Sequence, residues 1–211
     1  MVMSSRLTFW SSSPLDGFIP TPDARERYAV NVDAPAELVF HVAERFDLQS
    51  IHLVRAIFGL RAVLMRAKIP ARQPQGFLAE MRALGWECLA SRAGELFVGG
   101  AVCQPWQPNV VFRPIPAEDF ATFAEPDQVK IAWTLEAQPL GARHASLATE
   151  TRAVATDGQA QAKFRRYWRW ARYGIIPIRW LLLPAIRTEA ERRWRARSPT
   201  DAAEPPSGGA V

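Results

Sequence analysis

The stretch from Gln128 to Gln138 constrains the fold most, because Val129, Ile131, Trp133, Leu135 and Ala137 recur at a period of two, interleaved with polar or small residues. Successive strand side chains point to opposite faces, so this spacing specifies a β-strand with those five residues on one face. A second strand follows at Ala145 to Ala155, joined through Pro139-Leu-Gly-Ala-Arg. It sets Leu147, Thr149, Thr151 and Ala153 on one face and Glu150 and Arg152 on the other, where solvent or a neighbouring strand is expected to satisfy them. Trp86 to Ser91 and Glu95 to Gln104 read as a hairpin turning at Ala93-Gly94, and Arg25 to Val32 as the opening strand.

Helical spacing dominates elsewhere. Asp33-Ala-Pro-Ala-Glu supplies a helix start, with Asp33 as N-cap, and Leu38, Val39, Val42, Ala43 and Phe46 give a helix over about 36–46 one buried face. Ile51 to Arg66 fits a second amphipathic helix ended by Pro70 and Pro74, and a short helix is expected near Gln75 to Leu84. Pro114 to Asp127 reads as a short helix or loop insertion. From Asp157-Gly158 a long helix runs to about Arg197, expected to bend or break near Gly174, Pro177 and Pro184, since proline removes a helical donor and crowds the preceding turn. Hairpin-linked strands with segregated helices make the fold class α+β.

The 211 residues suit one domain, placed at 25–197, between a Ser/Pro/Gly-rich segment (1–24) expected to be flexible and a tail (198–211) of disordered composition. With 48% hydrophobic and 22% charged residues, a packed core is expected. Cys88 and Cys103 lack metal or redox spacing and read as buried thiols. The first twenty residues lack a basic region followed by an apolar run, which makes the expected location cytoplasmic. Tyr173 to Ile186, broken by prolines and an arginine, is shorter than the roughly 20 residues a bilayer span needs.

This order of elements, with Tyr28-Ala-Val-Asn-Val-Asp-Ala-Pro-Ala-Glu-Leu-Val-Phe opening it, resembles the START-like superfamily (SRPBCC) of polyketide cyclases, pollen-allergen-type carriers and lipid-transfer domains. Phe120-Ala-Thr-Phe-Ala-Glu-Pro, Val129-Lys-Ile-Ala-Trp, Ala148-Thr-Glu-Thr-Arg and Phe164-Arg-Arg-Tyr-Trp-Arg resemble a bacterial branch of it. The resemblance implies a helix-grip fold, a curved antiparallel sheet wrapped around the long C-terminal helix, with a cavity between them for an apolar ligand. Tyr173 to Pro184 departs from that branch's pattern.

Within such a cavity Trp133 and Leu135 on the strand, Thr149 and Thr151 on the next strand, and Phe164 and Trp168 on the terminal helix are the candidate ligand-binding residues. Plain core packing for the rings, and backbone-bonded hydroxyls for the threonines, are the competing readings. The function expected is binding or carriage of an apolar, lipid-like or polyketide-like molecule, with a cyclase- or dehydratase-type enzyme in the same cavity as the alternative. His41, His52 and His144 are scattered with no nucleophile motif beside them, so no catalytic residue, metal or cofactor is assigned.

Charge is concentrated at the end of the chain. From Gln159 to Arg197 ten arginines and Lys163 face only Glu189 and Glu191, a net +9, against −4 for the remainder. Arg165, Arg166, Arg169 and Arg172, among tryptophans, could meet an anionic membrane surface, the competing reading being a solvated helix face. Nucleic acid ranks last, since no recognition motif accompanies the charge.

Overall fold

The computed structural model describes residues 13–47 and 76–197, so the helix expected from Ile51 to Arg66 and the tail at 198–211 lie outside the described residues. Five strands, β1 (Ala24–Val32), β2 (Glu87–Arg92), β3 (Leu96–Cys103), β4 (Val129–Gly141) and β5 (His144–Ala155), form one antiparallel sheet in the order β1-β5-β4-β3-β2. The helices are α1 (Ala36–Glu44), α2 (Phe77–Ala83), α3 (Ala117–Phe120) and α4 (Gly158–Arg197). Strands β2 to β5 are a meander of neighbouring pairings, and β1 returns to the free edge of β5 in a register that sets Tyr28 opposite Thr149. This is the α+β, helix-grip arrangement, with α4 laid against β1, β5 and β4.

Alternation along β4 divides the sheet into two faces. The inner face carries Trp133, Leu135, Ala137 and Leu147, which pack with Val39 and Val42 of α1 and with Leu182, Leu183 and Ile186 of α4. Burying such side chains is worth about 1.5 to 3 kcal/mol each, which is what holds the helices on the sheet. The outer face is buried as well. Residues 13–23, assigned from sequence to a flexible segment, pack on it through Leu15 and Ile19, and Phe120 of α3 and Ile115 complete a second core with Val98, Val102 and Ala132. The segment has no periodicity because it forms no regular element; its few apolar residues act as plugs.

Two further expectations change. Pro35, not Asp33, is the N-cap residue of α1, and no side chain caps that helix. The Asp33 carboxylate instead lies 3.1 Å from Nδ1 of His144. Helix α4 runs unbroken from Gly158 to Arg197, through Gly174, Pro177 and Pro184. Each proline removes one donor, a local loss that packing of Leu182, Leu183, Ile186 and Ala190 on either side of Pro184 outweighs. The expected start of α4 holds: the Asp157 carboxylate accepts the N–H of Ala160 at 2.8 Å and that of Asp127 at 2.5 Å, and these backbone bonds lower its pKa. Cys103 is buried and Cys88 only partly so. Among the described residues no helix is long and apolar enough to cross a membrane.

Candidate functional site

The inner face is densest in aromatic side chains around Trp133. Its ring lies against β3 at Gly99, where a Cβ would stand 2.7 Å from Cε2 of the indole, so only glycine admits the ring there. Phe77 and Phe97 approach it at ring-centroid distances of 5.3 and 5.4 Å, and Trp86 meets it edge-on at 6.1 Å. These geometries favour tilted and edge-to-face contacts, as aromatic quadrupoles require. Inside this cage the Nε1–H of Trp133 is buried and has no hydrogen-bond partner among the described residues. An unpaired buried donor costs on the order of 1 to 3 kcal/mol, so its presence calls for an explanation.

Trp133 and Leu135 belong to one cluster, with α1 and the far half of α4. Phe164 and Trp168 belong to another, at the end of the sheet marked by Val129 and Ala153, where their rings stack at 5.8 Å. The structure therefore does not bring Trp133 and Trp168 into one cluster: the first turns of α4 lie near Val129, and the α4 residues clustered with Trp133 among those described all follow Pro177. Thr151 lies opposite Trp133 in the β4–β5 register, half-buried. Thr149 is half-buried too, and its Oγ1 donates to the Thr134 carbonyl at 2.7 Å, the backbone-bonded alternative.

A separate open cleft of about 610 Å³ lies between the end of α1 and α4, lined by Val42, Phe46, Ala185, Thr188, Glu189 and Arg193 among others. Its polar wall is already paired. The hydrogen bond from Arg192, seconded by Arg193, lowers the Glu189 pKa to about 2. None of the residues caging Trp133 lines that cleft, and the unpartnered donor places the candidate site at the cage.

The outer face holds the charges. Glu150 and Arg152, each 2% exposed, are buried rather than solvated, and their side chains meet at 2.7 Å. Arg152 also reaches Asp16 at 2.7 Å and donates to the Ile19 carbonyl at 2.8 Å, while Arg25 and Arg27 add contacts to Glu150 at 2.9 and 3.4 Å. Burial works to raise the Glu150 pKa, but hydrogen bonds and charge from Arg152 and Arg25 outweigh it and hold the carboxyl below its usual range. Lys130 donates to the carbonyls of Phe120 and Ala121 at 3.3 and 2.8 Å, and burial lowers its pKa. Burial raises that of Glu136, which is 4% exposed. This network ties the N-terminal segment to the sheet, and its groups spend their hydrogen bonds on one another.

Sequence reasoning missed the partners of Trp133. Phe77, Trp86 and Phe97 carry no motif, but the pair Gly99-Gly100 within an apolar strand was a signal of close approach from a neighbour.

No family model matches the sequence, and no curated protein is a significant match to it. Among solved structures, the chain is similar to Zhui aromatase/cyclase from Streptomyces sp. R1128 over 84% of this chain and 99% of that one, at 15% identity and a TM-score of 0.29. A Deinococcus radiodurans protein is similar over 72% of this chain and 99% of its own, at 17% identity and a TM-score of 0.28. A protein from Thermus thermophilus is similar over 83% of this chain and 99% of its own, at 11% identity and a TM-score of 0.28. Likenesses this distant bear on neither ligand nor reaction.

Proposed function

We propose that the chain binds an apolar small molecule carrying one hydrogen-bond acceptor, seated against Trp133 on the inner face. The observation that carries this reading is the buried, unpartnered Nε1–H inside an aromatic cage: an apolar wall with a single oriented donor is the usual composition of a small-molecule site. The resemblance to START-like carriers and cyclases, seen in the sequence motifs, is in keeping with it. Among the described residues, the buried charged groups Lys130, Glu136, Glu150 and Arg152 stand on the outer face, away from Trp133. None of these four groups can serve as acid or base at the cage; Glu80 of α2, one turn after Phe77 and with its Oε1 buried, is a carboxylate that a reaction there could draw on, and binding is the reading we favour.

A matched pair of probes tests this. Acetylnaphthalene and ethylnaphthalene share an apolar body, and only the first offers an acceptor. The expected result is saturable binding of both, about five- to tenfold tighter for acetylnaphthalene, the worth of one net hydrogen bond. In ¹⁵N-labelled protein, the Trp133 indole N–H resonance, assigned with Trp133→Phe, should move with acetylnaphthalene and less with ethylnaphthalene. Equal affinity for the two probes, or an unmoved Trp133 resonance at saturation, overturns the proposal.

A further inference from the structure

Helix α4 carries a face that is largely exposed among the described residues and that the ligand site does not use, Trp180 alone of its aromatics meeting a ring of the sheet, that of Tyr28, edge-on at 6.1 Å. Between Gly158 and Thr188 the chain has no aspartate or glutamate, while Lys163, Arg165, Arg166, Arg169, Arg172, Arg179 and Arg187 all fall within it. Some of these charges are neutralised locally. Lys163 pairs with Asp127 at 2.7 Å, and Arg187 pairs with Glu191 at 2.7 Å. Arg165, Arg166 and Arg169 are exposed and have no carboxylate within 4.0 Å among the described residues. Arg172 turns to Tyr173, donating to its hydroxyl at 3.2 Å and lying 5.0 Å from its ring centroid.

The same face carries large aromatic surface. Trp170 is 75% exposed, Tyr173 67% and Trp180 60%. Residues 166, 169, 170 and 173 stand at i, i+3, i+4 and i+7, which puts them on one side of a helix, and residue 180 lies seven further on along the same row. Phe164 on the opposite side is buried on the sheet. The face therefore alternates unneutralised guanidinium groups with amphipathic rings that have an apolar body and a polar tip.

We infer that this face of α4 docks on the surface of a bilayer containing anionic phospholipid. Tryptophan and tyrosine settle at the level of the headgroups, and arginines with no internal carboxylate are free to meet lipid phosphates. Single-stranded nucleic acid also stacks on aromatics beside arginines, but binds in grooves that track its backbone, whereas this is the outward side of one helix packed on the sheet. The inference is independent of the ligand reading, since it uses no residue of the Trp133 cage.

The test is sedimentation of the full chain with phosphatidylcholine vesicles, with and without about 30 mol% phosphatidylglycerol, at low and at raised salt. The expected result is partitioning at least roughly tenfold stronger on the anionic vesicles, weakened by salt, with a blue shift of tryptophan emission. Arg166→Gln with Arg169→Gln should lose most of the gain. Arg195→Gln with Arg197→Gln, the same change in charge at the far end of α4, should keep it. Trp170→Ala with Tyr173→Ser should weaken partitioning while thermal unfolding stays unchanged, because both side chains are exposed. Equal binding to neutral and anionic vesicles, equal losses from the two arginine pairs, or displacement from vesicles by a single-stranded oligonucleotide at the same salt would each overturn the inference.

Discussion

The two faces of this sheet are both buried, yet by opposite means. The inner face is covered by regular helices and lined by aliphatic and aromatic side chains, with the Trp133 Nε1–H unpaired among the described residues. The outer face is covered by an irregular N-terminal segment and the short α3, and every buried polar or charged residue among those described, Lys130, Thr134, Glu136, Glu150 and Arg152, stands on it. The difference follows from the covering material. A helix satisfies its own backbone and can offer a wholly apolar stripe, whereas residues 13–23 bring exposed carbonyls and N–H groups that must find partners in the sheet. Arg152 supplies them: its guanidinium serves Asp16 and the Ile19 carbonyl on one side and Glu150 on the other. A face held by apolar packing has few directional bonds to satisfy. A face held by a charge network fixes one arrangement and tolerates little.

The largest test of that contrast is Arg152→Met. It leaves Glu150 buried without its main partner and frees Asp16 and the Ile19 carbonyl, so a loss on the order of 3 to 5 kcal/mol is expected in chemical denaturation. Hydrogen exchange should rise first in residues 13–23. The pH dependence has a definite sign. The Asp16 and Glu150 pKa values are both depressed in the folded state, Asp16 chiefly by the Arg152 hydrogen bond, so their contribution is present above the ordinary carboxylate range and lost as pH falls through the depressed values. Wild type should therefore weaken in acid more steeply than Arg152→Met. A variant that unfolds as wild type does, with an equally steep acid limb, would show that the network is incidental.

Gly99 and Gly100 compare the faces more sharply, because they are neighbours on β3 that point in opposite directions. A Cβ at 99 meets the indole of Trp133 at 2.7 to 2.9 Å, while one at 100 meets the Leu89 side chain, with Phe120 at 3.0 Å. An indole caged by Phe77, Trp86 and Phe97 has nowhere to go; a leucine can change rotamer. Gly99→Ala should cost about 2 to 3 kcal/mol and Gly100→Ala nearer 1 kcal/mol, both within the range for overpacked cores. Thermal unfolding of the two variants checks the order, and a larger loss at 100 would mean that the outer face is the stiffer one.

Much of this is legible in the sequence. The alternation along β4, the hairpin at Gly94 and the start of α4 at Asp157 follow from local rules of spacing and capping, and each stands where expected. The capping of α1, the continuity of α4 and the burial of Glu150 and Arg152 did not follow, because each is settled by contacts distant in sequence. Strand alternation says that Glu150 and Arg152 share a face; it cannot say that Leu15 and Ile19, more than a hundred residues earlier, will seal it. The candidate site divides the same way. Trp133 and Leu135 are on the inner face, as their spacing required, but the prolines of α4 gave no measure of where along the sheet its aromatics land, and Phe164 and Trp168 stack at the other end.

The smallest effect isolates the cost of polarity on the outer face itself. Glu136 is 4% exposed, and burial, seconded by the charge of Glu150, raises its pKa against the opposing pull of Thr134, Arg27 and Arg92. A carboxyl whose folded pKa is raised contributes stability that is full below its unfolded value and is lost as pH rises through the folded one. Ionised Glu136 therefore works against the fold near neutral pH, and Glu136→Gln, which keeps the shape and removes the titration, should be more stable than wild type there by about 1 kcal/mol or less. The gain should shrink as pH is lowered toward the ordinary glutamate range, where wild-type Glu136 is protonated and the two side chains are close to equivalent. Denaturant midpoints measured across that range decide it. If Glu136→Gln is the less stable at neutral pH, the Glu136 carboxylate is held by Arg27 and Arg92 rather than opposed by burial, and the outer face has no spare charge at all.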